Sequence, residues 1–152
     1  MNEKIFHIGI KALILNKEGN ILLLKANPAE LRGNKQAHWD IPGGRIKHGD
    51  SPEQTLKNEI LEELGVEEVE IENLFDASIS NLKIPLETGE EVGLALFTYI
   101  CNKLPENAEI KLSTEHTEYK WADIAEAKKL LAVKFNAKFI EKLDSLKTIS
   151  SQ

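Results

Sequence analysis

Residues 43–66, GGRIKHGDSPEQTLKNEILEELGV, decide the fold of this chain, because they join a glycine-rich turn to a helix with clear end signals. Ser51 is a favourable N-cap, Pro52 suits the first helical position, and Gln54 completes a capping-box pattern. Gly65 stands where helices commonly end in a left-handed residue. The pattern therefore predicts a single helix between these two ends.

The predicted helix carries an apolar stripe beside an acidic one. The apolar residues recur every four positions and are Leu56, Ile60 and Leu64. The acidic residues fall within an arc of about 100° and are Glu59, Glu62 and Glu63. Like charges at this spacing repel by about 0.2–0.5 kcal/mol per pair. A hard divalent cation bound through oxygen would compensate them, and the alternative is an acidic helix face in solvent.

This stretch resembles the signature of the Nudix hydrolases, G-x5-E-x7-R-E-U-x-E-E-x-G-U, where U is an aliphatic residue. Gly44 takes the first position, and the end of the signature is matched in register by Glu59, Ile60, Glu62, Glu63, Gly65 and Val66. The lead-in WDIPGG at 39–44 also resembles the strand and turn that open the family's motif. The resemblance implies the α/β Nudix fold, a mixed β-sheet sandwiched between α-helices.

Two positions depart from the signature. Asp50 replaces its early glutamate, and Asn58 replaces the arginine that precedes the first helix glutamate. The two side chains are generally paired in the family, so their joint change suggests a swapped contact such as a hydrogen bond between them. Such a bond lacks a cation and is weaker than a charge-assisted one. Whether the exchange lowers activity is left open.

The resemblance also implies the chemistry, namely hydrolysis of a phosphoanhydride bond in a nucleoside diphosphate-linked substrate with Mg²⁺ or Mn²⁺ as cofactor. The implied metal ligands are helix carboxylates, a loop glutamate and a turn carbonyl: Glu59, Glu62, Glu63, Glu115, and Gly43 or Gly44. The loop glutamate is chosen because it stands six residues before Trp121, as in the family. One carboxylate must also take a proton from water. The catalytic candidates are Glu59, Glu62 and Glu115, and the choice of base stays open.

The substrate is narrowed by elimination within the family. ADP-ribose hydrolases tend to carry a proline beyond the motif, and dinucleoside polyphosphate hydrolases a tyrosine, whereas Asn81 and Leu82 occupy those places here. We therefore expect a nucleoside triphosphate to be cleaved to the monophosphate and pyrophosphate. The alternatives are a nucleotide sugar or dinucleoside polyphosphate hydrolase, and a Nudix module that binds a nucleotide without hydrolysing it.

Charge points to a small anionic partner. A net charge of −6 disfavours a nucleic-acid polymer, while bound divalent ions would reverse the local field for a nucleotide. Both arginines of the chain, Arg32 and Arg45, lie around the implied site. Because a guanidinium matches phosphate in fork geometry, we expect both to bind substrate. The alternative is that they are ordinary exposed loop arginines.

Length and composition indicate one domain. With 152 residues and 41% hydrophobic content, we expect a single domain at 1–147 and a disordered tail at 148–152. The single cysteine, Cys101, lies in the apolar run 92–101, and we expect it to be buried in the core. This run is too short to span a membrane as a helix. The N-terminus lacks the apolar segment of a signal peptide, so a cytoplasmic protein without membrane contact is expected. Family members are commonly dimers, which leaves a homodimer open.

The sequence pattern gives approximate positions for the other strands and helices. Runs 5–15 and 20–25 predict a β-hairpin, and strands are expected near 70–79, at 92–101 and around Trp121. Two helices should follow Ala122, the second burying Phe135, Phe139, Ile140, Leu143 and Leu146. His116 is interpreted as a loop or substrate-contacting residue rather than a metal ligand.

Overall fold

The computed structural model describes residues 4–31, 37–101, 104 and 108–146. Within these ranges the strands are β1 (Phe6–Ile14), β2 (Ile21–Ala26), β3 (Trp39–Asp40), β4 (Gly43–Arg45), β5 (Leu74–Ile79), β6 (Ile84–Pro85), β7 (Glu91–Cys101) and β8 (His116–Ala122). The helices are α1 (Pro52–Leu64), α2 (Ile124–Leu131) and α3 (Ala137–Lys142). Short 3-10 turns occupy Pro28–Glu30 and Leu143–Ser145.

The strands form two sheets. The larger has the order β4-β1-β7-β5, with β6 pairing β7, and the smaller has the order β3-β2-β8. β1 and β7 are parallel, whereas the other pairs are antiparallel. The fold is therefore mixed α/β, as expected, but its strands divide into two sheets.

The predicted hairpin of β1 and β2 is wrong. The turn at 16–20 forms, with the Asn16 side chain accepting a hydrogen bond from the Asn20 N–H at 2.9 Å. Beyond it the strands diverge into different sheets, joined by an isolated bridge between Leu15 and Ile21. The reason is that both edges of β1 are taken, one by β7 along its whole length and the other by β4.

Helix α1 forms as its end signals predict. The Ser51 side chain accepts a hydrogen bond from the Gln54 N–H at 3.1 Å, and Gly65 closes the helix at φ 71°. The apolar stripe is fully buried, and it packs on residues of β1 and β2 that include Ala12 and Leu24. Each buried leucine or isoleucine of this kind contributes about 1.5–3 kcal/mol, so packing fixes which helix face looks outward.

Helices α2 and α3 cover the other core. Leu13 of β1 packs in this second core, whereas its neighbours Ala12 and Ile14 pack with α1, so the two cores lie on opposite faces of β1. Phe135 and Phe139 stack with ring centroids 4.3 Å apart. The predicted buried face is confirmed for Phe135, Phe139, Leu143 and Leu146, and Ile140 packs against it in part.

Two other expectations can be compared with the structure, and two concern residues that it does not describe. Cys101 is buried as expected, and burial, with a smaller effect of the Glu72 charge, raises the pKa of its thiol to about 12. Among the described residues, no helix combines the length and the apolar character needed to cross a membrane. Arg32 and the tail at 148–152 lie outside the described residues.

Candidate active site

The Gly43–Gly44 turn lets the α1 carboxylates approach the backbone of β4. A Cβ atom on Gly44 would lie 2.4 Å from Cδ of Glu59. Gly43 has φ +148°, and a Cβ there would lie 2.1 Å from the carbonyl oxygen of Ile10. Gly43 is therefore required by the backbone of β1, whereas a Cβ at Gly44 would displace the flexible end of Glu59.

Glu63 is the most deeply buried carboxylate of the site, with 2% of the residue exposed. Its Oε1 accepts a hydrogen bond from the Gly43 N–H at 2.8 Å, and its Oε2 lies 3.4 Å from Nδ1 of His116. Burial raises the pKa of Glu63 to about 8, against the opposing effects of Lys11 and the Gly43 N–H. Without a bound cation this carboxylate is therefore mostly protonated at neutral pH.

Glu59 is half-buried and shares its surroundings with other carboxylates. Burial raises its pKa, and the charges of Glu62 and Glu115 raise it further. Glu62 is exposed on the same helix, and Glu115 is exposed on the loop before β8. The structure thus brings the predicted carboxylates together into what we call the acidic cluster: Glu59, Glu62, Glu63 and Glu115.

The loop carrying Glu115 is held by a residue distant in sequence. The Asn27 backbone N–H donates to the Glu115 carbonyl at 2.9 Å, and its side-chain amide donates to the Thr114 carbonyl at 2.8 Å. Ligand atoms of Glu63, Glu115 and His116 consequently lie within 4.8 Å of one another. Asn27 carried no signal of this role in the sequence.

His116 lies among the candidate metal ligands, which its sequence position had not favoured. Its Nδ1 is buried and has no hydrogen-bond partner, since the approach to Glu63 lacks hydrogen-bond geometry. Burial lowers the pKa of His116 to about 4, so the ring is neutral at physiological pH. A neutral imidazole nitrogen without a partner is a suitable metal ligand. The adjacency of His116 to Glu115 was the available sequence signal.

This donor set fits a divalent cation. Carboxylate oxygens suit Mg²⁺ and Mn²⁺, and an imidazole nitrogen is compatible with a first-row transition ion. Burial is the main cause of the raised pKa values of Glu59 and Glu63, and the charge of Lys11 offsets it only in part, so a bound cation would stabilise the ionised carboxylates. The residues that would hold the ion are Glu63, Glu115 and His116, with Glu59 adjacent.

Arg45 contacts β1 through its guanidinium. It is exposed on β4, and its Nη1 is 3.0 Å from Nδ1 of His7. Both side chains line an open cavity of about 440 Å³ that also contacts Phe6, Ile8 and Lys47. The structure therefore directs the guanidinium toward β1.

The expected bond between Asp50 and Asn58 is absent from the described part of the chain. Asn58 is exposed on α1, and Asp50 is half-buried with its backbone N–H donating to the Lys47 carbonyl at 3.1 Å. Because α1 is already fixed by its caps and its apolar stripe, the fold does not require this pair.

A second charged group adjoins the site and was missed by the sequence reasoning. Asp40 Oδ2 accepts hydrogen bonds from Lys11 Nζ at 3.0 Å and from Lys134 Nζ at 2.6 Å. The three side chains are 7–12% exposed. We call Lys11, Asp40 and Lys134 the lysine cluster. Its members come from β1, β3 and the turn between α2 and α3, so no local sequence pattern predicts the cluster.

In the lysine cluster, burial and ion pairing shift the pKa values of the side chains in opposite directions. Burial alone would raise the pKa of Asp40, but Lys11 and Lys134 hold it below its ordinary value. Burial lowers the pKa of Lys134 to about 8, with Asp40 opposing. For Lys11, burial is outweighed by Asp40 and Glu63, so its pKa is raised.

The chain is similar in sequence to proteins of one known family. The model of the NUDIX domain matches residues 5–143. The chain is 29% identical over 111 residues to the nucleoside triphosphatase NudI of Escherichia coli, covering 71% of this chain and 76% of that protein. It is 30% identical over 67 residues to an 8-oxo-dGTP diphosphatase of Proteus vulgaris, covering 44% of this chain and 56% of that protein.

Structural similarity extends over the whole chain. The crystal structure of a MutT protein from Methanosarcina mazei Go1 has a TM-score of 0.70 at 24% identity and is covered completely, as is this chain. The matches to several curated relatives are partial, and the chain covers only 28–56% of their length. The family model, the fold and the register of the glutamates on α1 agree, and the chain belongs to the Nudix family.

Proposed function

We propose that this chain is a divalent-metal-dependent hydrolase that cleaves a nucleoside triphosphate to the monophosphate and pyrophosphate. The observation that carries the proposal is the meeting of Glu63, Glu115 and His116 within 4.8 Å beside the Gly43–Gly44 turn. The triphosphate is favoured because the relatives described above are named a nucleoside triphosphatase and an 8-oxo-dGTP diphosphatase.

In this proposal the cation is held by Glu63, Glu115 and His116. Mg²⁺ or Mn²⁺ bound there would neutralise charge on the phosphate oxygens while the bridging bond breaks. The Gly43 N–H keeps Glu63 aimed at the site through its 2.8 Å hydrogen bond. Asn27 holds the loop so that Glu115 and His116 meet the helix.

Glu59 is our proposed general base, and Glu115 is the alternative. Burial and neighbouring carboxylates raise the pKa of Glu59, which makes its ionised form a stronger proton acceptor. Water adds its oxygen to phosphorus, Glu59 takes the proton, and the bond to the bridging oxygen breaks. Pyrophosphate leaves with the electron pair of that bond, so water and triphosphate yield monophosphate and pyrophosphate.

Arg45 remains a proposed substrate contact. Its guanidinium is exposed and faces an open cavity, with His7 as its neighbour. Replacing Arg45 with Ala should raise KM with little change in kcat, because a uniform binding contact would be lost. An unchanged KM would remove Arg45 from the substrate site. Arg32 is proposed on sequence grounds alone.

The function is tested by the products that the purified protein forms. Nucleoside triphosphates, ADP-ribose, nucleotide sugars and dinucleoside polyphosphates are incubated with Mg²⁺, Mn²⁺ or EDTA and followed by ³¹P NMR. The proposal expects monophosphate and pyrophosphate in equal amounts from triphosphates, and no reaction in EDTA. Cleavage of another linked diphosphate instead would correct the substrate. Absence of turnover together with ligand-induced thermal stabilisation would identify a binding module.

A further inference from the structure

The lysine cluster adjoins the candidate metal ligands through β1 and β4. Lys11 is the register partner of Gly43, whose N–H binds Glu63. The charge of Lys11 acts on Glu63, and the charges of Lys11, Asp40 and Lys134 act on His116. The two groups are therefore electrostatic neighbours, although the proposed reaction uses only the acidic cluster.

The hydrogen-bond acceptors of the lysine cluster are fewer than its donors. Asp40 Oδ2 accepts from both lysines, and Asp40 Oδ1 accepts from the Ile41 N–H at 2.8 Å. An ammonium has three donors. Lys11 uses two, on Asp40 and the Ile41 carbonyl, and Lys134 uses one, on Asp40. In the part of the chain that the structure describes, the remaining N–H groups have no acceptor.

The net charge of the lysine cluster and a hydroxyl beside it also indicate that hydrogen-bonding groups here lack partners. Two lysines contact one aspartate, so the three side chains together carry one excess positive charge when all are ionised, and the charge of Glu63 acts on Lys11 from the acidic cluster. Buried charge without a partner is costly. Thr98, the register partner of Lys11 on β7, is fully buried, and its hydroxyl also has no partner among the described residues.

A purely structural ion pair would not need Lys134. Lys11 and Asp40 already form a pair at 3.0 Å, and the second lysine adds desolvation cost together with repulsion from Lys11. The backbone of Lys134 is held separately, because its carbonyl accepts hydrogen bonds from the Asn81 N–H and the Ser80 hydroxyl, both at 2.8 Å. The ammonium can therefore serve a ligand without being required for the turn.

We propose that Lys134 and Lys11, held by Asp40, form a subsite that binds an acceptor oxygen of the nucleotide substrate beside the metal ligands. This inference deepens the proposed function and rests on it for the identity of the substrate. The shared ligand chemistry is an oxygen carrying negative charge or a lone pair, either on a phosphate or on a base carbonyl. Lys134 supplies the free donors, and Asp40 positions both ammonium groups.

The test replaces Lys134 with Met, which keeps the apolar stem and leaves a neutral Lys11–Asp40 pair. Binding of dGMP, dAMP and inorganic pyrophosphate to the metal-free protein is measured by calorimetry, alongside chemical denaturation. We expect affinity to fall by about 10- to 100-fold, the loss of a charge-assisted hydrogen bond, while stability is unchanged or higher. Lys129→Met, an exposed lysine on α2, is the matched control and should retain affinity.

The pattern of loss identifies the oxygen. Equal loss for both nucleotides and for pyrophosphate assigns the subsite to phosphate, whereas loss for dGMP alone assigns it to the base carbonyl. Unchanged affinities in Lys134→Met, or wild-type protein that binds none of the three probes, would overturn the inference. Hydrolysis by the wild-type protein is measured in parallel, so a failed subsite with intact turnover is distinguished from a failed function.

Discussion

The acidic cluster and the lysine cluster are neighbours that differ in their charged groups and in the pKa shifts of their carboxyls. In the acidic cluster, carboxylates from α1 and the β8 loop come together, and mainly burial raises the pKa values of Glu59 and Glu63. In the lysine cluster, Asp40 is bonded through both oxygens and its pKa is lowered. Carboxylates predominate in the acidic cluster, and lysines outnumber the aspartate in the lysine cluster.

The difference indicates what each cluster receives. A group of repelling carboxylates favours a cation, and a group with surplus ammonium donors favours an anion or a carbonyl oxygen. A metal-bound nucleotide presents both partners together.

Removal of the proposed base should have the largest effect. Glu59→Gln keeps the shape of the side chain but removes the proton acceptor, so kcat should fall by about 10²- to 10⁴-fold. Steady-state hydrolysis of a triphosphate measures it, with Glu118→Gln on the exposed face of β8 as the control. An active Glu59→Gln beside an inactive Glu115→Gln would move the base to Glu115.

Removal of the anion from the lysine cluster should cost the most stability. Asp40→Asn leaves Lys11 and Lys134 buried together, and breaking a buried ion pair in this way costs about 3–5 kcal/mol of unfolding free energy. Urea denaturation measures the loss. Adding Lys134→Met should recover part of the lost stability, because one unpaired cation is removed. A double variant no more stable than Asp40→Asn would show that the two lysines are not coupled through Asp40.

Filling the space above Gly44 should affect the acidic cluster alone. In Gly44→Ala the new Cβ would lie 2.4 Å from Cδ of Glu59, and the flexible end of the glutamate can move aside. Stability should therefore change by less than about 1 kcal/mol, while Mn²⁺ affinity should fall by about 10- to 100-fold. Calorimetric Mn²⁺ titration measures it, and unchanged affinity would place Glu59 outside the influence of the metal.

The raised pKa of Glu63 should make the metal-free protein less stable as pH rises from 6.5 to 8. The unfolded carboxyl, with a pKa of 4.5, is already ionised there, whereas the folded one keeps its proton up to about pH 8. The expected loss is about 1–2 kcal/mol. The window avoids His116, whose shift acts below 6.5, and Lys134, whose shift acts above 8.

The control for this pH dependence is Glu63→Gln, which cannot ionise and should show a flat profile between pH 6.5 and 8. Charges near Glu63 belong to Lys11, Asp40 and Glu59, and they are retained in the variant. Saturating Mg²⁺ should also reduce the slope, because it favours the ionised carboxylate. The same slope in wild type and variant would assign the dependence to another group.

The sequence predicted the parts of the molecule that are specified locally. Helix α1 was predicted from Ser51, Gly65 and its apolar stripe, because caps and periodicity act within a few turns. The glutamates were predicted to share one side for the same reason, and the structure brings Glu115 to them as the family pattern implied. The hairpin of β1 and β2 failed, because pairing with β7 depends on contacts distant in sequence.

The parts missed by the sequence are assembled across long separations. Asp40 and Lys134 are 94 positions apart, and Asn27 reaches the Thr114 carbonyl across 87 positions. Neither pairing leaves a periodic or compositional trace in one chain. His116 was underrated because a loop histidine is commonly solvent-exposed, and only the fold shows its Nδ1 buried without a hydrogen bond.

The proposed hydrolysis requires the acidic cluster to be a cation site whose occupancy supports turnover. The most direct measurement is a Mn²⁺ titration followed by electron paramagnetic resonance in wild type and in Glu63→Gln, with triphosphate hydrolysis assayed in the same samples. Bound Mn²⁺ and hydrolysis should rise together in wild type, and both should be lost in Glu63→Gln. Full hydrolysis without bound Mn²⁺, or unaltered Mn²⁺ binding in Glu63→Gln, would contradict it.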